Sequence, residues 1–154
     1  MNILATLVYL QKDGKILMLK GNKKGHFKKG IWNGLGGKIE AGESPEECAI
    51  REIKEESGLN INKLIFSGIL IFPEQDTNKN SWYVFVYKCN DFNGKLRESK
   101  EGELSWIKKS ELFDLNMSEG DYIFLPWIQE GKLFSAKFIY KEGKLLSHNR
   151  VFYS

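Results

Sequence analysis

The segment from Ser44 to Gly58 has the clearest helix signals in the chain, so any fold of this sequence must include a helix there. Ser44 and Glu47 have the S-x-x-E spacing of a capping box, in which each side chain bonds the backbone N–H of the other residue. Pro45 falls in the first helical turn, where a missing N–H costs nothing, and Gly58 suits the residue that ends a helix. The sequence therefore predicts an α-helix over residues 44–58.

Acidic side chains crowd one face of this predicted helix. Glu52, Glu55 and Glu56 are spaced i, i+3 and i+4, and like charges at that spacing repel each other by about 0.2–0.5 kcal/mol per pair. A Mg²⁺ ion offsets such repulsion, because it takes carboxylate oxygens as ligands and bridges them to phosphates. The spacing alone leaves two interpretations open, a metal site and a solvated acidic face. The apolar stripe of the helix is narrow and consists of Ala49, Ile50 and Ile53.

The rest of the hydrophobic pattern predicts a mixed β-sheet flanked by helices. An opening β-hairpin turns at Gln-Lys-Asp-Gly, and a long loop follows over residues 21–37, with six glycines and four lysines. A second turn is predicted at 90–94, and a second helix begins near Ser118 and includes Pro126. The predicted strands are residues 3–10, 15–20, 64–72, 82–89, 103–107, 133–140 and 144–152.

Size and composition favour one globular domain over residues 1–154, with 42% hydrophobic residues. Cys48 and Cys89 lack any metal-ligand spacing, which is typical of free thiols in a reducing compartment, so we expect a cytoplasmic protein. The N-terminal apolar run of about eight residues is shorter than the roughly 18 that a membrane helix needs. The net charge of +3 is spread along the chain, so we expect neither a membrane nor a stable nucleic-acid partner.

The helix and the turn before it match a known motif at every specified position. The pattern G-x5-E-x7-R-E-U-x-E-E-x-G-U, where U is apolar, spans residues 37–59, and the chain resembles the Nudix hydrolases that carry it. The opening hairpin, the WNGLGGKIEAGES segment, Glu101 and the FSAKF strand resemble the MutT-type and oxidised purine triphosphatase branch. The matching motif positions are Gly37, Glu43, Arg51, Glu52, Ile53, Glu55, Glu56, Gly58 and Leu59.

The resemblance implies an α/β/α sandwich with a loop–helix–loop motif at its active site. It implies that Glu52, Glu55 and Glu56 hold Mg²⁺, for which Mn²⁺ can substitute. The backbone carbonyl of Gly37 or Gly36 is an additional ligand, and Gly36 also lies beside the substrate. Two further motif residues, Glu43 and Arg51, are expected to pair and brace the loop against the helix; the alternative for them is a surface ion pair that contributes little.

The implied reaction is attack of water on a phosphorus of a nucleoside triphosphate, which releases the monophosphate and pyrophosphate. Catalysis needs a general base to take the water proton. The resemblance offers Glu55 and Glu101, with Glu52 beside them, and does not choose between the two. For Glu101, which stands in a charged stretch, the alternative is a solvated turn residue.

Base recognition is expected from Asn33 and Asp121, which match an amide and an acid that contact the base in the oxidised-purine branch. The second match departs from the pattern, because the segment Met117-Ser118-Glu119-Gly120-Asp121 has no aromatic residue and separates its acids. Phe27 and Trp32 either stack on the base or pack beneath their loop. Four lysines of the loop either attract a polyanionic substrate or simply keep the loop soluble, and at least one of them, with Lys23 as the candidate, is expected to assist the phosphates. The other three are Lys24, Lys28 and Lys29. His26 and His148 are expected to be ordinary surface or packing residues.

The leading hypothesis is an enzyme that removes 8-oxo-dGTP or related oxidised purine triphosphates from the nucleotide pool. Within the same class, the alternative substrates are a dinucleotide polyphosphate, a nucleotide sugar or an RNA 5′ end. From another class, the chain could be a nucleotide-binding regulator without catalysis, although the intact carboxylates argue against it. The oligomeric state is open.

Overall fold

The structure is a computed structural model and describes residues 1–22 and 29–153. The two α-helices of these residues are α1 (Pro45–Ser57) and α2 (Asp121–Gln129), and Lys109–Asp114 form a 3-10 helix. Neither of the two is long and apolar enough to cross a membrane. The strands of the described residues are β1 (Asn2–Lys12), β2 (Lys15–Gly21), β3 (Trp32–Asn33), β4 (Leu35–Lys38), β5 (Asn60–Phe72), β6 (Ser81–Asn93), β7 (Gly102–Lys108), β8 (Leu133–Lys141) and β9 (Lys144–Tyr153).

Strand β1 joins two groups of strands into one mixed sheet. The larger group runs in the order β4-β1-β6-β5-β8-β9, with β1 parallel to β6 and β5 parallel to β8. The smaller group pairs β2 with β3 and β7. The predicted opening hairpin is confirmed but short, because β1 and β2 pair only at Gln11–Ile16 and Lys12–Lys15 before they separate. Beyond that turn β1 bonds to β4 and β6 instead.

Alternate side chains of β1 face the two helices, as a strand requires when both of its faces are covered. Val8 and Leu10 belong to a buried cluster that includes Ala49 and Ile53 of α1. On the other face Ala5 and Tyr9 belong to a second cluster, which contains Phe124, Leu125 and Ile128 of α2. The sheet therefore lies between α1 and α2, and the predicted sandwich is confirmed.

Two predicted loops are wrong in part. Within 21–37, β3 and β4 form strands, and β4 pairs with β1 through Thr6–Gly37 and Leu7–Gly36. The glycines are needed for this pairing, since a Cβ on Gly36 would lie 1.9 Å from the carbonyl oxygen of Thr6. Residues 90–93, predicted as a turn, extend β6 against the start of β5, and side-chain bonds such as Asn62–Asp91 cross the pair.

The helix predictions are confirmed closely at α1. The capping box of Ser44 and Glu47 is present, and Gly58 ends the helix in the left-handed region with φ 81°. One residue of the predicted stripe differs, because Ile50 is 45% exposed. The second helix begins at Asp121 rather than near Ser118, and Pro126 lies inside it.

Candidate active site

The three glutamates of α1 differ sharply in exposure. Glu56 is buried, with 5% of its surface exposed, because it follows the helix face that packs on the sheet. The Glu52 side chain is 17% exposed and that of Glu55 is 60% exposed. The acidic face is therefore graded from the protein interior to solvent, and the simple alternative of a solvated acidic face is wrong for Glu56.

The two carboxylate oxygens of Glu56 have different surroundings. Its Oε2 accepts a hydrogen bond from the backbone N–H of Gly36 at 3.2 Å, which ties α1 to β4. Its Oε1 is buried, and no donor in residues 1–22 and 29–153 reaches it. The pKa of Glu56 is raised to about 10, first by burial, then by a hydrogen bond with the Glu101 carboxyl and by the charges of Glu101 and Glu52. Two carboxyl groups can share such a bond only while one holds a proton.

Glu101 precedes β7 and comes together with the helix glutamates across the fold. Its carbonyl accepts a hydrogen bond from the backbone of Asn22 at 3.3 Å, and its own N–H donates to Ser99 Oγ at 3.2 Å. Its charge raises the pKa of both Glu52 and Glu56. Glu101 is half-buried beside Glu56, which favours a role in the site over a solvated turn residue, and this role stays a prediction.

Gly37 lies directly against the Glu52 carboxylate. A Cβ at this position would stand 2.4 Å from Cδ and 2.5 Å from Oε1 of Glu52, so any larger residue would displace that group. The lack of a side chain leaves the carboxylate and the β4 backbone in mutual contact. The expected role of the Gly37 carbonyl as a metal ligand stays a prediction.

Arg51 links most of the remaining acidic groups. It forms a bidentate pair with Glu43, with Nε to Oε2 at 2.7 Å and Nη2 to Oε1 at 2.9 Å, and Nη2 also donates to the carbonyl of Lys38. The hydrogen bonds from Arg51 lower the pKa of Glu43 to about 2. Nη1 of Arg51 reaches Oε1 of Glu52 at 2.8 Å and Oε2 of Glu55 at 3.3 Å. The predicted pair between helix and loop is present, within a wider network than expected.

These carboxylates offer the oxygen ligands that a hard divalent cation prefers. In the described part of the chain, however, no three acidic, His or Cys side chains converge closely enough to enclose an ion. The geometry explains this, because Arg51 holds Glu52 and Glu55 while Glu56 points inward to Gly36 and Glu101. The buried, unpartnered Oε1 of Glu56 fits a cation, which would supply the missing positive partner.

The structure places the two residues predicted for base recognition in β3 and at the start of α2. Asp121 is the first residue of α2 and is 8% exposed, and burial raises its pKa to about 7. Asn33 lies in β3, next to Gly34, and a Cβ on Gly34 would be 2.7 Å from Cε1 of Tyr9. Tyr9 is buried, and the charge of Asp121 contributes to its raised pKa. Tyr9 therefore lies near Asp121 on the α2 face, whereas Asn33 pairs with Leu19 of the α1-face cluster. Since paired strand residues point to the same face, the structure does not bring the Asn33 side chain to Asp121.

Some of the remaining predictions for this region can be compared with the structure, and others concern residues that it does not describe. Trp32 packs against the core cluster on the α2 face, and its backbone N–H donates to Asn116, so the packing alternative is the better one. His148 stacks on Phe138 with ring centroids 5.4 Å apart, as a packing residue does. The proposed roles of Lys23 and Phe27 concern residues outside the described part of the chain, as do His26, Lys24 and Lys28.

Sequence reasoning missed Tyr9 and the reason for the departure at Gly120. A Cβ on Gly120 would lie 2.7 Å from the Tyr140 hydroxyl, which accepts the Gly120 N–H at 2.7 Å. An acidic side chain next to Asp121 would therefore collide with Tyr140. The alternation of β1 was the available signal for Tyr9, since it places Ala5 and Tyr9 on one face.

Comparison with known proteins decides the family. The NUDIX domain family matches residues 1–128, which include every residue described above at the carboxylate site and at Asn33 and Asp121. The chain belongs to the Nudix family. Its members are hydrolases that act on pyrophosphate bonds, bind small nucleotide substrates and generally need divalent metal ions.

Relatives of similar length support the MutT type within this Nudix family. The chain is 32% identical over 148 residues to an oxidized purine nucleoside triphosphate hydrolase of Danio rerio, covering 96% of this chain and 93% of that protein. It is 33% identical over 144 residues to the Nudix hydrolase YvcI of Bacillus subtilis, covering 90% and 88%. A mutator MutT protein from Bacillus halodurans superimposes with a TM-score of 0.84 at 31% identity, covering 96% and 97%.

Proposed function

We propose that this Nudix hydrolase cleaves 8-oxo-dGTP and related oxidised purine triphosphates to the monophosphate and pyrophosphate, with Mg²⁺ as the metal. The observation that carries the proposal is the division of the site. A carboxylate cluster on α1 packs against β4 on one face of the sheet, and a second buried acid, Asp121, begins α2 on the other face. The name of the Danio rerio relative supports the same substrate class.

The metal would be held by Glu52, Glu55 and Glu56, with the carbonyl of Gly37 or Gly36. When bound, Mg²⁺ supplies positive charge to the phosphoryl oxygens and orients the phosphate for in-line displacement. Such a site would need Glu56 in its ionised form, and it would compete with Arg51 for Glu52 and Glu55, which Nη1 now contacts at 2.8 and 3.3 Å. Arg51 then remains anchored by its bidentate bond to Glu43, which keeps the helix and loop in register.

Glu101 is the better candidate for the general base. It is half-buried, and its carboxyl forms a hydrogen bond with that of Glu56. Glu55 is largely exposed, and its carboxylate already accepts a hydrogen bond from Arg51. A base must also lie within reach of the attacked phosphorus, and Glu101 adjoins two of the three proposed metal ligands.

Recognition of the base would depend on Asn33 and Asp121. The Asn33 amide both donates and accepts hydrogen bonds, and an ionised Asp121 accepts from a purine edge that presents N–H groups. Because burial raises the Asp121 pKa to about 7, its charge changes in the neutral range, and a bound donor edge favours the ionised form. A carboxylate that is mostly desolvated in the free protein discriminates strongly between a donor edge and an edge without donors.

The test is a substrate panel scored by kcat/KM with Mg²⁺: 8-oxo-dGTP, dGTP, dATP, a dinucleoside tetraphosphate, ADP-ribose and a 5′-triphosphate RNA. We expect pyrophosphate as a product and a preference for 8-oxo-dGTP over dGTP of at least about tenfold. A smaller preference, or faster turnover of another compound, would contradict the proposed substrate. Tight binding of a nucleotide without turnover of any compound would favour the regulator instead.

A further inference from the structure

The loop between β6 and β7 contacts the last turn of α1, which carries two of the proposed metal ligands. It carries Glu101 at its end and Arg97 near its middle. We propose that Arg97 is a positioning residue for hydrolysis: it fastens the loop that carries Glu101 to the last turn of α1, which carries Glu55 and Glu56. This proposal rests on the roles given above to those three glutamates.

Arg97 bonds directly to the backbone of the turn that carries the catalytic side chains. Its Nη2 donates to the carbonyl of Lys54 at 2.9 Å and to that of Glu55 at 2.8 Å. Its backbone N–H donates to the carbonyl of Ser57 at 2.9 Å. The last carbonyls of a helix lack partners within the helix, and a cation beside them also opposes the negative end of the helix dipole. Arg97 thus bonds three carbonyl groups at the C-terminal end of α1.

The loop also packs against the residue that ends the helix. A Cβ on Gly58 would meet the carbonyl oxygen of Lys95 at 3.0 Å and Cγ and Cδ of Arg97 at 3.1 and 3.2 Å. With φ at 81°, Gly58 turns the chain so that its N–H bonds to the carbonyl of Lys54, one of the two that Arg97 also bonds. Loop and helix end therefore form one bonded unit.

The same turn positions the catalytic carboxyl groups on its other side. Glu56 is held there by Gly36 N–H and contacts Glu101, four residues after Arg97 in the loop. The Glu101 backbone is bonded at its other side to Asn22, at the end of β2. The position of Glu101 relative to α1 is thus fixed from two directions, and Arg97 supplies the direct bond between the loop and α1.

A helix cap without a catalytic role is the competing explanation. Capping alone would change thermal stability and leave the reaction parameters of the folded enzyme unchanged. Positioning of Glu101 predicts a different result: kcat falls while KM for the nucleotide changes little, and the pH dependence of kcat changes because the base is misplaced. Arg97 is itself exposed, so replacing it leaves no buried hole.

The test compares Arg97→Ala and Arg97→Lys with Lys95→Ala, a control that removes an exposed cation from the same loop. For the best substrate of the panel, we expect Arg97→Ala to lower kcat by about 10–100-fold with KM within about twofold. The low-pH limb of its kcat profile should also shift. Arg97→Lys should recover part of the rate, because one ammonium cannot reproduce both guanidinium bonds. Lys95→Ala should match the parent.

Backbone hydrogen exchange of the free protein supplies a readout that needs no substrate. We expect Arg97→Ala, or Arg97→Lys if the alanine variant does not fold, to speed exchange in residues 98–104 relative to β8. Parental kcat and pH profile in a variant that only melts earlier would overturn the proposal in favour of a cap. Unchanged exchange in residues 98–104 would overturn it as well. If no nucleotide is hydrolysed, the proposed function fails, while the exchange data still decide whether Arg97 holds the loop.

Discussion

The carboxylate region on α1 and the base region around Asp121 hold their acidic groups by opposite means. At α1, Arg51 bonds Glu43, Glu52 and Glu55, and the pKa of Glu43 is lowered to about 2. At the start of α2, burial raises the pKa of Asp121 to about 7. Glu43 therefore keeps its charge over a wide pH range, whereas the charge of Asp121 changes near neutrality. This difference suits one region to phosphate chemistry and the other to reading a neutral base.

Glu56 differs from Glu43 within the first region, since it is about as buried as Asp121 and burial raises its pKa to about 10. Its burial beside Glu101 is costly in the free protein, and a cation would relieve the cost. The comparison can therefore be tested by neutralising one buried acid in each region.

The largest effect is expected for Glu56→Gln, which removes the charge while keeping shape and helix propensity. We expect kcat to fall by about 100-fold or more, because a metal ligand is lost. The ratio of kcat/KM between nucleotides should stay parental. Steady-state kinetics with Mg²⁺ measure both quantities, and Glu130→Gln, which removes an exposed charge at the end of α2, is the matched control. Near-parental kcat in a folded variant would show that Glu56 is not a ligand.

The same variant sharpens the comparison through stability. Because the folded-state pKa of Glu56 lies above its ordinary 4.5, its ionisation costs stability progressively as the pH rises from about 4.5 through about 10. Without metal, Glu56→Gln should therefore melt higher than the parent at pH 8 and closer to it at pH 4.5. Mg²⁺ should raise the Tm of the parent and not that of the variant.

A smaller and different effect is expected in the base region. Asn33→Ala and Asp121→Asn should each cost about 1–3 kcal/mol of binding to the oxidised purine, mainly in KM and in the choice among bases. The KM of the parent should depend on pH around 7, where Asp121 ionises, and this dependence should flatten in Asp121→Asn. Kinetics with 8-oxo-dGTP and dGTP between pH 6 and about 8 measure this. If both variants keep the parental preference, recognition lies elsewhere.

Ionisation of Asp121 also lowers the stability of the folded protein. Its folded-state pKa is raised from 3.8 to about 7, so the stability present below 3.8 is lost as the pH rises through about 7. Asp121→Asn should thus gain stability relative to the parent between pH 5 and about 8, in free protein followed by thermal unfolding. A variant that loses stability over this range would indicate that the carboxylate has an ionic partner.

The smallest effect is expected for Tyr9→Phe. The Tyr9 hydroxyl is buried, and no partner for it exists in the part of the chain that the structure describes. Removing a buried, unpartnered hydroxyl should stabilise the free protein by about 1 kcal/mol, or about 2–4 °C in Tm. Calorimetry measures the shift. A lower Tm would mean that the Tyr9 hydroxyl has a hydrogen-bond partner in the folded protein.

The two regions also differ in how far the sequence predicts them. The α1 region follows from short-range rules, because the capping box, the Gly58 stop and the spacing of Glu52, Glu55 and Glu56 all lie within 15 residues. Even there, periodicity alone did not show that Glu56 is buried and Ile50 exposed. That depends on which side of α1 meets the sheet.

The base region depends on residues that are distant in the chain. Tyr9 in β1 and Asp121 in α2 come together only through the packing of α2 on the sheet, which local patterns do not fix. The prediction of a loop at β4 was wrong for a related reason. Its glycines favour a loop by propensity, whereas in the structure Gly36 is required by the close approach of the Thr6 backbone. Arg97 was missed because a lone arginine in a polar loop carries no local signal.

The most direct test of the division between the two regions is a single kinetic comparison. The kcat/KM ratio of 8-oxo-dGTP to dGTP is measured for the parent, Glu56→Gln and Asp121→Asn under one set of Mg²⁺ and pH conditions. We predict that Glu56→Gln lowers kcat for both nucleotides and leaves the ratio parental, while Asp121→Asn reduces the ratio by about tenfold with kcat largely kept. A change of the ratio in Glu56→Gln, or an equal loss of kcat in Asp121→Asn, would contradict the assignment of chemistry to α1 and of base recognition to Asp121.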